Sequence, residues 1–249
     1  MIDLKGKTAL ITGGSRGIGA ACVELFLKAG TDVAFTYFKN ENAAEETAGK
    51  ASGKVKYYQC DHSSERDNLE VVKEVEKNFG KIDILVNNAG IWTYGAIGEM
   101  QLKVWKELID LNLTGMFIIT NAVVPLMKKN GFGRIINISS TASQRGEAFH
   151  SHYAASKGAM NAFTKSLASE IAKFNITVNA VAPGWVDTDM NDEVFAEPGF
   201  REKLEKDIPV GRIATAEDIA GPTLFLASEL GRHINGEILN VNGGSVLCG

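Results

Sequence analysis

Tyr153 and Lys157 stand four residues apart in the run HYAASKGAM, and Ser140 closes the run RIINISS thirteen residues before the tyrosine. Residues i and i+4 of a helix share a face, so this spacing brings a phenol and an ammonium within reach of each other. A free tyrosine titrates near pH ~10 and stays protonated at neutrality. A neighbouring cation favours the phenolate and makes the phenol a usable proton donor or acceptor. A serine hydroxyl placed beside it can give a hydrogen bond to an oxygen that gathers negative charge. Together these side chains can move a proton to or from an oxygen. Ser139 competes for the serine role, and the thirteen-residue spacing to Tyr153 favours Ser140.

A second motif, TGGSRGIG, sets Gly13, Gly14, Gly17 and Gly19 around Ser15, Arg16 and Ile18. Glycines allow a tight turn and close backbone approach to a pyrophosphate, and a following helix offers its N-terminal amides. The spacing is neither GxGxxG nor a Walker A loop, since no Gly-Lys-Ser/Thr follows. Its place between the first strand and the first helix favours a nucleotide cradle. In dinucleotide folds an acidic residue ~20 positions further on holds the ribose of NAD. Here the second strand ends Thr36-Tyr37-Phe38-Lys39-Asn40, with no carboxylate at the turn, while Arg16 and Lys39 supply cations for a 2′-phosphate. The expected cofactor is NADP(H), with NAD(H) as the alternative.

These groups need elements to position them. Apolar runs of strand length begin at Thr8 (TALIT), Asp32 (DVAFTY), Val55 (VKYYQC), Ile82 (IDILVN), Arg134 (RIINIS), Ile176 (ITVNAVA) and Glu237 (EILNVN). Helical periodicity falls between them, over Gly17–Lys28, Glu41–Ala51, Glu65–Asn78, Lys103–Lys129, Ser151–Lys173 and Ala216–Ala227. Seven strands alternating with helices predict an α/β fold: one doubly wound domain over residues 1–249, with a parallel sheet covered on both faces. The alternation fails between Thr188 and Thr215, where Pro198-Gly199 breaks a polar segment carrying Phe195 and Phe200. A long connection at the carboxyl end of a strand predicts a substrate lid over residues 188–215. Asn112 and Gly115, poor residues for the middle of an apolar helix, predict a kink or a freed carbonyl.

Composition adds bounds. The 249 residues are 45% hydrophobic and 22% charged, with a net charge of −4, so no global positive field points to nucleic acid or an anionic membrane. Cys22, Cys60 and Cys248 have no metal-ligand spacing, and Cys22 and Cys60 read as small packing residues; the four histidines form no HExxH pattern, and no metal site is expected. The opening run MIDLKGKTALITGG has no leader pattern and no apolar stretch of ~18 residues is read, which predicts a cytoplasmic setting without a membrane span.

TGGSRGIG, Cys60-Asp61, NNAG from Asn87, Asn112, NISS through Ser140, YAASK from Tyr153, and Pro183-Gly184 with Thr188 follow one another in order. With these pieces the chain resembles the short-chain dehydrogenases/reductases over nearly its whole length. The resemblance implies that Tyr153 protonates a carbonyl oxygen or takes a hydroxyl proton, that Lys157 lowers the phenol pKa and binds the nicotinamide ribose, and that Ser140 steadies the oxyanion. It implies that Asn112 orders a water in a proton relay. It also implies cofactor contacts from Gly13, Ser15, Arg16, Gly17, Ile18, Gly19, Tyr37, Lys39, Asp61, His62, Asn88, Ala89, Gly90, Pro183, Gly184, Val186 and Thr188.

VNGG from Val241 and PVGR from Pro209 resemble the 3-oxoacyl-ACP reductase branch, whose substrate rides on an acyl carrier protein. The two positions at which that branch carries carrier-docking arginines hold Gly131 and Phe174, with Lys128, Lys129 and Lys173 beside them. Substrate contacts are expected from Trp92, Tyr94, Gln144 and Trp185; Arg145, Glu147 and His150 are further pocket candidates. That mixture would also suit a sugar or polyol. His150 and His152 read as exposed loop residues. The helices bearing Asn112 and Tyr153 are apolar on more than one face, which with the resemblance implies a homotetramer. A catalytically dead nucleotide-binding regulator is the alternative of another class.

Overall fold

The computed structural model describes residues 2–50 and 53–247, and its centre is a seven-stranded sheet. β1 (Thr8–Ile11), β2 (Asp32–Tyr37), β3 (Val55–Gln59), β4 (Ile84–Asn87), β5 (Gly133–Ile138), β6 (Ile176–Pro183) and β7 (Ile238–Val241) all pair in parallel, in the order 3-2-1-4-5-6-7. β1, β4, β5 and β6 are buried along their whole length, because helices cover both faces of the sheet; this is why they read as continuous apolar runs and not as alternating ones.

The helices are α1 (Gly17–Lys28), α2 (Glu41–Gly49), α3 (Glu65–Phe79), α4 (Leu102–Ile109), α5 (Gly115–Asn130), α6 (Ala142–Arg145), α7 (Ser151–Ile171), α8 (Asp192–Phe195), α9 (Phe200–Asp207) and α10 (Ala216–Ala227). Val23 and Phe26 of α1, Ala44 of α2 and Leu224 of α10 pack on Ile11, Phe35 and Val181 on one face. Val72 and Val75 of α3, Ile119 and Val123 of α5 and Ile171 of α7 pack on Leu10, Leu85 and Val178 on the other. After β3 at one edge the chain returns to β4 beside β1, so the strand order reverses there. Connections diverge at that reversal and leave a crevice beyond the strand ends. Beneath it the Asn87 amide donates to Asn137 Oδ1 (2.8 Å) and Thr120 Oγ1 (3.0 Å), and the Asn137 amide donates to Thr164 Oγ1 (2.8 Å), tying α5 and α7 to the sheet.

Element ends fall within a residue or two of the expected ones, apart from the following. The end of α2 expected at Ala51 lies outside the described residues, as does Cys248. The helix expected over Lys103–Lys129 is broken into α4, a π-helical turn at Asp110–Thr114, and α5. The cause is crowding: a Cβ on Gly115 would lie 2.1 Å from the His62 carbonyl oxygen, so bare backbone passes there, and the widened turn presents Asn112 inward. The span Leu102–Asn130 is also long and apolar enough to cross a membrane, against the expectation; here its Ile119, Val123 and Met127 lie in the core against the sheet. α7 stops at Ile171, and a 3-10 turn with Asn175 at φ 60° leads into β6. Between residues 188 and 215 the chain forms α8 and α9, separated after Pro198 by Gly199 at φ 78°. α10 starts where expected because Thr215 and Asp218 cap it reciprocally and Arg212 grips the same carboxylate, holding it near a pKa of about 2.

Candidate active site

The glycine loop is fastened from three sides. Thr12 Oγ1 accepts hydrogen bonds from the backbone N–H groups of Asn88 and Ala89, both at 2.9 Å. The Asn88 side-chain amide donates back to the carbonyls of Thr12 (2.9 Å) and Gly13 (3.0 Å). Gly13, at φ 65°, donates its N–H to Thr36 Oγ1 at 2.9 Å. Gly19 passes so close to the Gly13 carbonyl that a Cβ would lie 2.0 Å from its oxygen. The resulting cradle, of about 910 Å³, is lined by Gly13, Ser15, Arg16, Gly17, Ile18, Tyr37, Asp61, His62, Asn88, Ala89, Gly90 and Thr188. Loop glycines free of side chains, a helix N-terminus and a cation on the rim fit a dinucleotide phosphate.

His62 supports this loop from behind. Its Nδ1 lies 2.7 Å from Asn68 Oδ1 and its Nε2 lies 2.7 Å from Thr36 Oγ1. The Asn68 nitrogen donates to the carbonyls of His62 and Ser64, so the Asn68 oxygen faces His62 as an acceptor. His62 therefore donates from Nδ1, and its Nε2 accepts from the Thr36 hydroxyl, which accepts in turn from Gly13. Burial lowers the His62 pKa below the ordinary 6.5. The unfolded chain then takes up the proton first, so stability is full above pH ~6.5 and falls as pH drops from there toward the lower folded value. Buried His152 has the same sign, so His62→Gln should remove part, and not all, of the acid sensitivity read by urea unfolding at pH ~7.5 and pH ~5.5.

β5 runs into Ser139 and Ser140, and the first turns of α7 bring Tyr153 and Lys157 against them. Tyr153, Lys157, Ser140 and Ile138 line a cleft of about 770 Å³ with Trp92, Arg145, Glu147, Pro183, Gly184, Trp185, Val186 and Thr188. Ser140 lines the cleft with Tyr153, its Oγ accepting the Ala142 N–H at 3.1 Å, whereas Ser139 Oγ donates to Asn161 Oδ1 at 2.6 Å and braces α7. Burial pushes the Tyr153 phenol up to about 12, with the nearby Ser140 hydroxyl acting downward and the Glu147 carboxylate acting upward. Burial lowers Lys157 to about 8. Lys157 Nζ donates to the Ile138 carbonyl at 2.6 Å and lies 5.8 Å from the phenol ring centroid, and in this arrangement desolvation prevails at the phenol. At neutral pH the tyrosine is an acid in its protonated form. Asn112 Oδ1 accepts from the Ile91 N–H at 2.8 Å while its amide donates to the Ile91 carbonyl at 2.9 Å, which fixes the loop after β4 in front of Tyr153.

An aromatic wall closes one side. Trp92 stacks on His150 with ring centroids 4.1 Å apart and planes 7° apart, and meets Trp185 edge to face at 6.2 Å. Trp185 in turn contacts Phe195 at 5.9 Å and Phe200 at 5.8 Å. Both loop histidines are buried, contrary to expectation, because the start of α7 tucks beneath the Trp92–Gly95 backbone: Gly95 N–H donates to the Phe149 carbonyl, and His152 Nε2 lies 2.9 Å from Thr93 Oγ1.

Four expected site residues fall outside both clefts in addition to Gly19, which shapes the cradle from beneath: Asn112, buried against the Ile91 backbone, and Lys39, Tyr94 and Gln144. Lys39 lies over the Phe38 ring, and Tyr94 is exposed and stacked on Phe149. Gln144 does not line the cleft; its buried Oε1 has no partner among the described residues. Conversely, Thr36 and Asn68 hold the cradle without having been given a role, Thr36 through the Gly13 N–H and Asn68 through His62, contacts that leave no motif to read. Ile18, Asn88, Gly90, Thr188 and Met190 line both clefts, so the cradle and the tyrosine share one wall. Cys22 and Cys60 are buried packing residues, as expected, with thiols pushed up to about 12.

A phenol acid opening onto a dinucleotide cradle at the reversal of a parallel sheet defines the class: the chain belongs to the short-chain dehydrogenase/reductase family, oxidoreductases that use a nicotinamide cofactor. The family model described as "Enoyl-(Acyl carrier protein) reductase" matches residues 13–245. The chain is 41% identical to the 3-oxoacyl-[acyl-carrier-protein] reductase of Aquifex aeolicus over 98% of each chain. It is also 41% identical to the acetoacetyl-CoA reductase of Shinella zoogloeoides, over 96% of this chain and 98% of that one. Among solved structures, a glucose/ribitol dehydrogenase-type member from Brucella melitensis superposes with a TM-score of 0.93 at 29% identity over 99% of each chain. A Serratia marcescens short-chain dehydrogenase/reductase mutant superposes at 0.90 with 36% identity, over 97% of this chain and 98% of that one.

Proposed function

We propose that the protein is an NADP(H)-dependent reductase of 3-oxoacyl thioesters, with Tyr153 as the proton donor. The observation that carries this reading is the protonated Tyr153 phenol beside Ser140 in a cleft that shares its wall with the glycine cradle. Gly13, Ser15, Gly17 and Ile18 would hold the diphosphate, Arg16 the 2′-phosphate, and Asn88, Ala89, Gly90, Pro183, Gly184, Val186 and Thr188 the remainder of the dinucleotide. When bound, the cofactor supplies the hydride for the carbonyl carbon. Tyr153 gives its proton to the carbonyl oxygen, and Ser140 steadies the same oxygen with a hydrogen bond. A buried phenolate is costly at this site, since burial has already raised the phenol to about 12, so rapid reprotonation is favoured. Lys157, lowered to about 8, is a capable proton source beside it, with Asn112 and ordered water leading outward.

Residues 188–215 act as a lid in this reading, joined to the cleft wall through Trp185, Phe195 and Phe200. Lys128 and Lys173 both lie over the Phe174 ring, at 4.9 and 5.3 Å, and would present cations to an acidic acyl carrier protein in place of arginines. Exposed Trp105 and Phe117 on α4 and α5 support a homotetramer, and the setting is taken as cytoplasmic. Arg145 and Glu147 at the cleft favour a second reading, a sugar or polyol substrate. Initial rates of NADPH oxidation should be at least tenfold higher in kcat/KM with 3-oxoacyl thioesters than with free sugars; the reverse order would select the second reading.

A further inference from the structure

Arg16 does not wait unengaged for a phosphate. Its Nη1 donates to Asp189 Oδ2 at 2.7 Å, joining the glycine loop to the start of the segment that leads into α8. Both residues line the dinucleotide cradle, beside Ser15, Tyr37 and Phe38. The contact is reinforced by packing: a Cβ on Gly17 would lie 3.3 Å from the Thr188 methyl, and Asn191 donates to the Val186 carbonyl at 2.8 Å. Asp187, the other nearby carboxylate, is taken by Arg201. Asp189 is thus the carboxylate that occupies Arg16.

We propose that Asp189 is a selectivity residue: it competes with the 2′-phosphate for Arg16, and the exchange of partners frees the segment Asp189–Phe195 when the phosphorylated cofactor binds. This rests on the NADP(H) reading above. The physical case is a comparison of strengths. The side chains of Arg16 and Asp189 are 71% and 40% exposed, and such ion pairs shift an equilibrium by fivefold or less. A phosphate brings close to two charges and can take a guanidinium through paired hydrogen bonds, which is a stronger and more directional contact. The exchange therefore runs toward phosphate, at a cost that the unphosphorylated cofactor never incurs, because it leaves the Arg16–Asp189 pair intact. The carboxylate lowers affinity for the phosphorylated cofactor and couples that cofactor to the first turn of the lid.

The test is a double-mutant cycle read by calorimetric dissociation constants for NADPH and NADH in Asp189→Asn, Arg16→Gln and the double variant. Asp189→Asn should raise the ratio of the NADH to the NADPH dissociation constant by about two- to fivefold over the unmodified protein. Loss of a negative charge tightens both cofactors through their shared diphosphate, so the ratio and not either constant is the readout. In the Arg16→Gln background the same substitution should leave the ratio unchanged. Amide hydrogen exchange over Asn191–Phe195 should be faster with NADPH than with NADH bound in the unmodified protein, and equal in Asp189→Asn. An unchanged ratio in Asp189→Asn, or a change that persists without Arg16, overturns the exchange. If Arg16→Gln alone leaves the NADPH preference intact, the 2′-phosphate reading itself fails, and the proposal with it.

Discussion

Tyr153→Phe lowers kcat for carbonyl reduction by about 10²–10⁴-fold, the range that a positioned general acid supplies, and leaves the NADPH dissociation constant within about twofold. The ring keeps its burial and its place on α7, so the fold has no reason to change. Only the hydroxyl goes, and Ser140 keeps its partner, since its Oγ accepts the Ala142 N–H at 3.1 Å. The size of the loss follows from protonation: a phenol raised to about 12 is almost wholly an acid at neutral pH. Lys157, the nearest alternative, is turned to the Ile138 carbonyl. Steady-state rates set beside calorimetric binding check both halves. A loss in binding equal to the loss in rate would mean that the phenol holds the cofactor and does not act on the substrate.

Gly19→Ala has the second largest effect and acts on the other half of the site. The new Cβ would lie 2.0 Å from the Gly13 carbonyl oxygen and 2.7 Å from the Asn88 side-chain nitrogen. Neither neighbour is a flexible tip: one is backbone, and the other is bonded to two carbonyls. The glycine loop must therefore open away from α1, at a strain of about 3 kcal/mol. That energy equals about a hundredfold in the NADPH dissociation constant, with a drop in thermal midpoint of similar origin. Gly49→Ala, with nothing within 4 Å of its Cβ, is the matched control and should leave binding unaltered.

Much of this arrangement was legible in the residues because the responsible forces are local. Continuous apolar runs marked the strands of a sheet covered on both faces, and the i, i+4 spacing placed Tyr153 and Lys157 on adjacent turns of α7. The Asn112–Gly115 irregularity appears as a π-helical turn, for a tertiary reason that the sequence does not carry, the His62 carbonyl. What remained hidden depends on side chains meeting across the fold. Lys157 donates to a carbonyl nineteen residues away, which its helical spacing cannot register, and desolvation of the phenol depends on the packed cleft around it. Gln144 and Tyr94 flank the cleft in sequence but turn away from it, since the connection from α6 to α7 folds Phe149 onto Tyr94 and seats His150 under Trp92. Arg16 lies on the cradle, but its engagement by Asp189 spans 173 positions.

The central claim is that the two clefts with a common wall carry out one reaction, with hydride delivered to a carbonyl carbon and the Tyr153 proton to its oxygen. Its most direct test follows deuterium from NADPH labelled at either face of nicotinamide C4 into the alcohol formed from a 3-oxoacyl thioester, in a single turnover. The account predicts that label from one face arrives wholly on the carbinol carbon, and that Tyr153→Phe slows this transfer by at least about a hundredfold. A carbinol hydrogen drawn from solvent, or an unslowed transfer without the phenol, would contradict it.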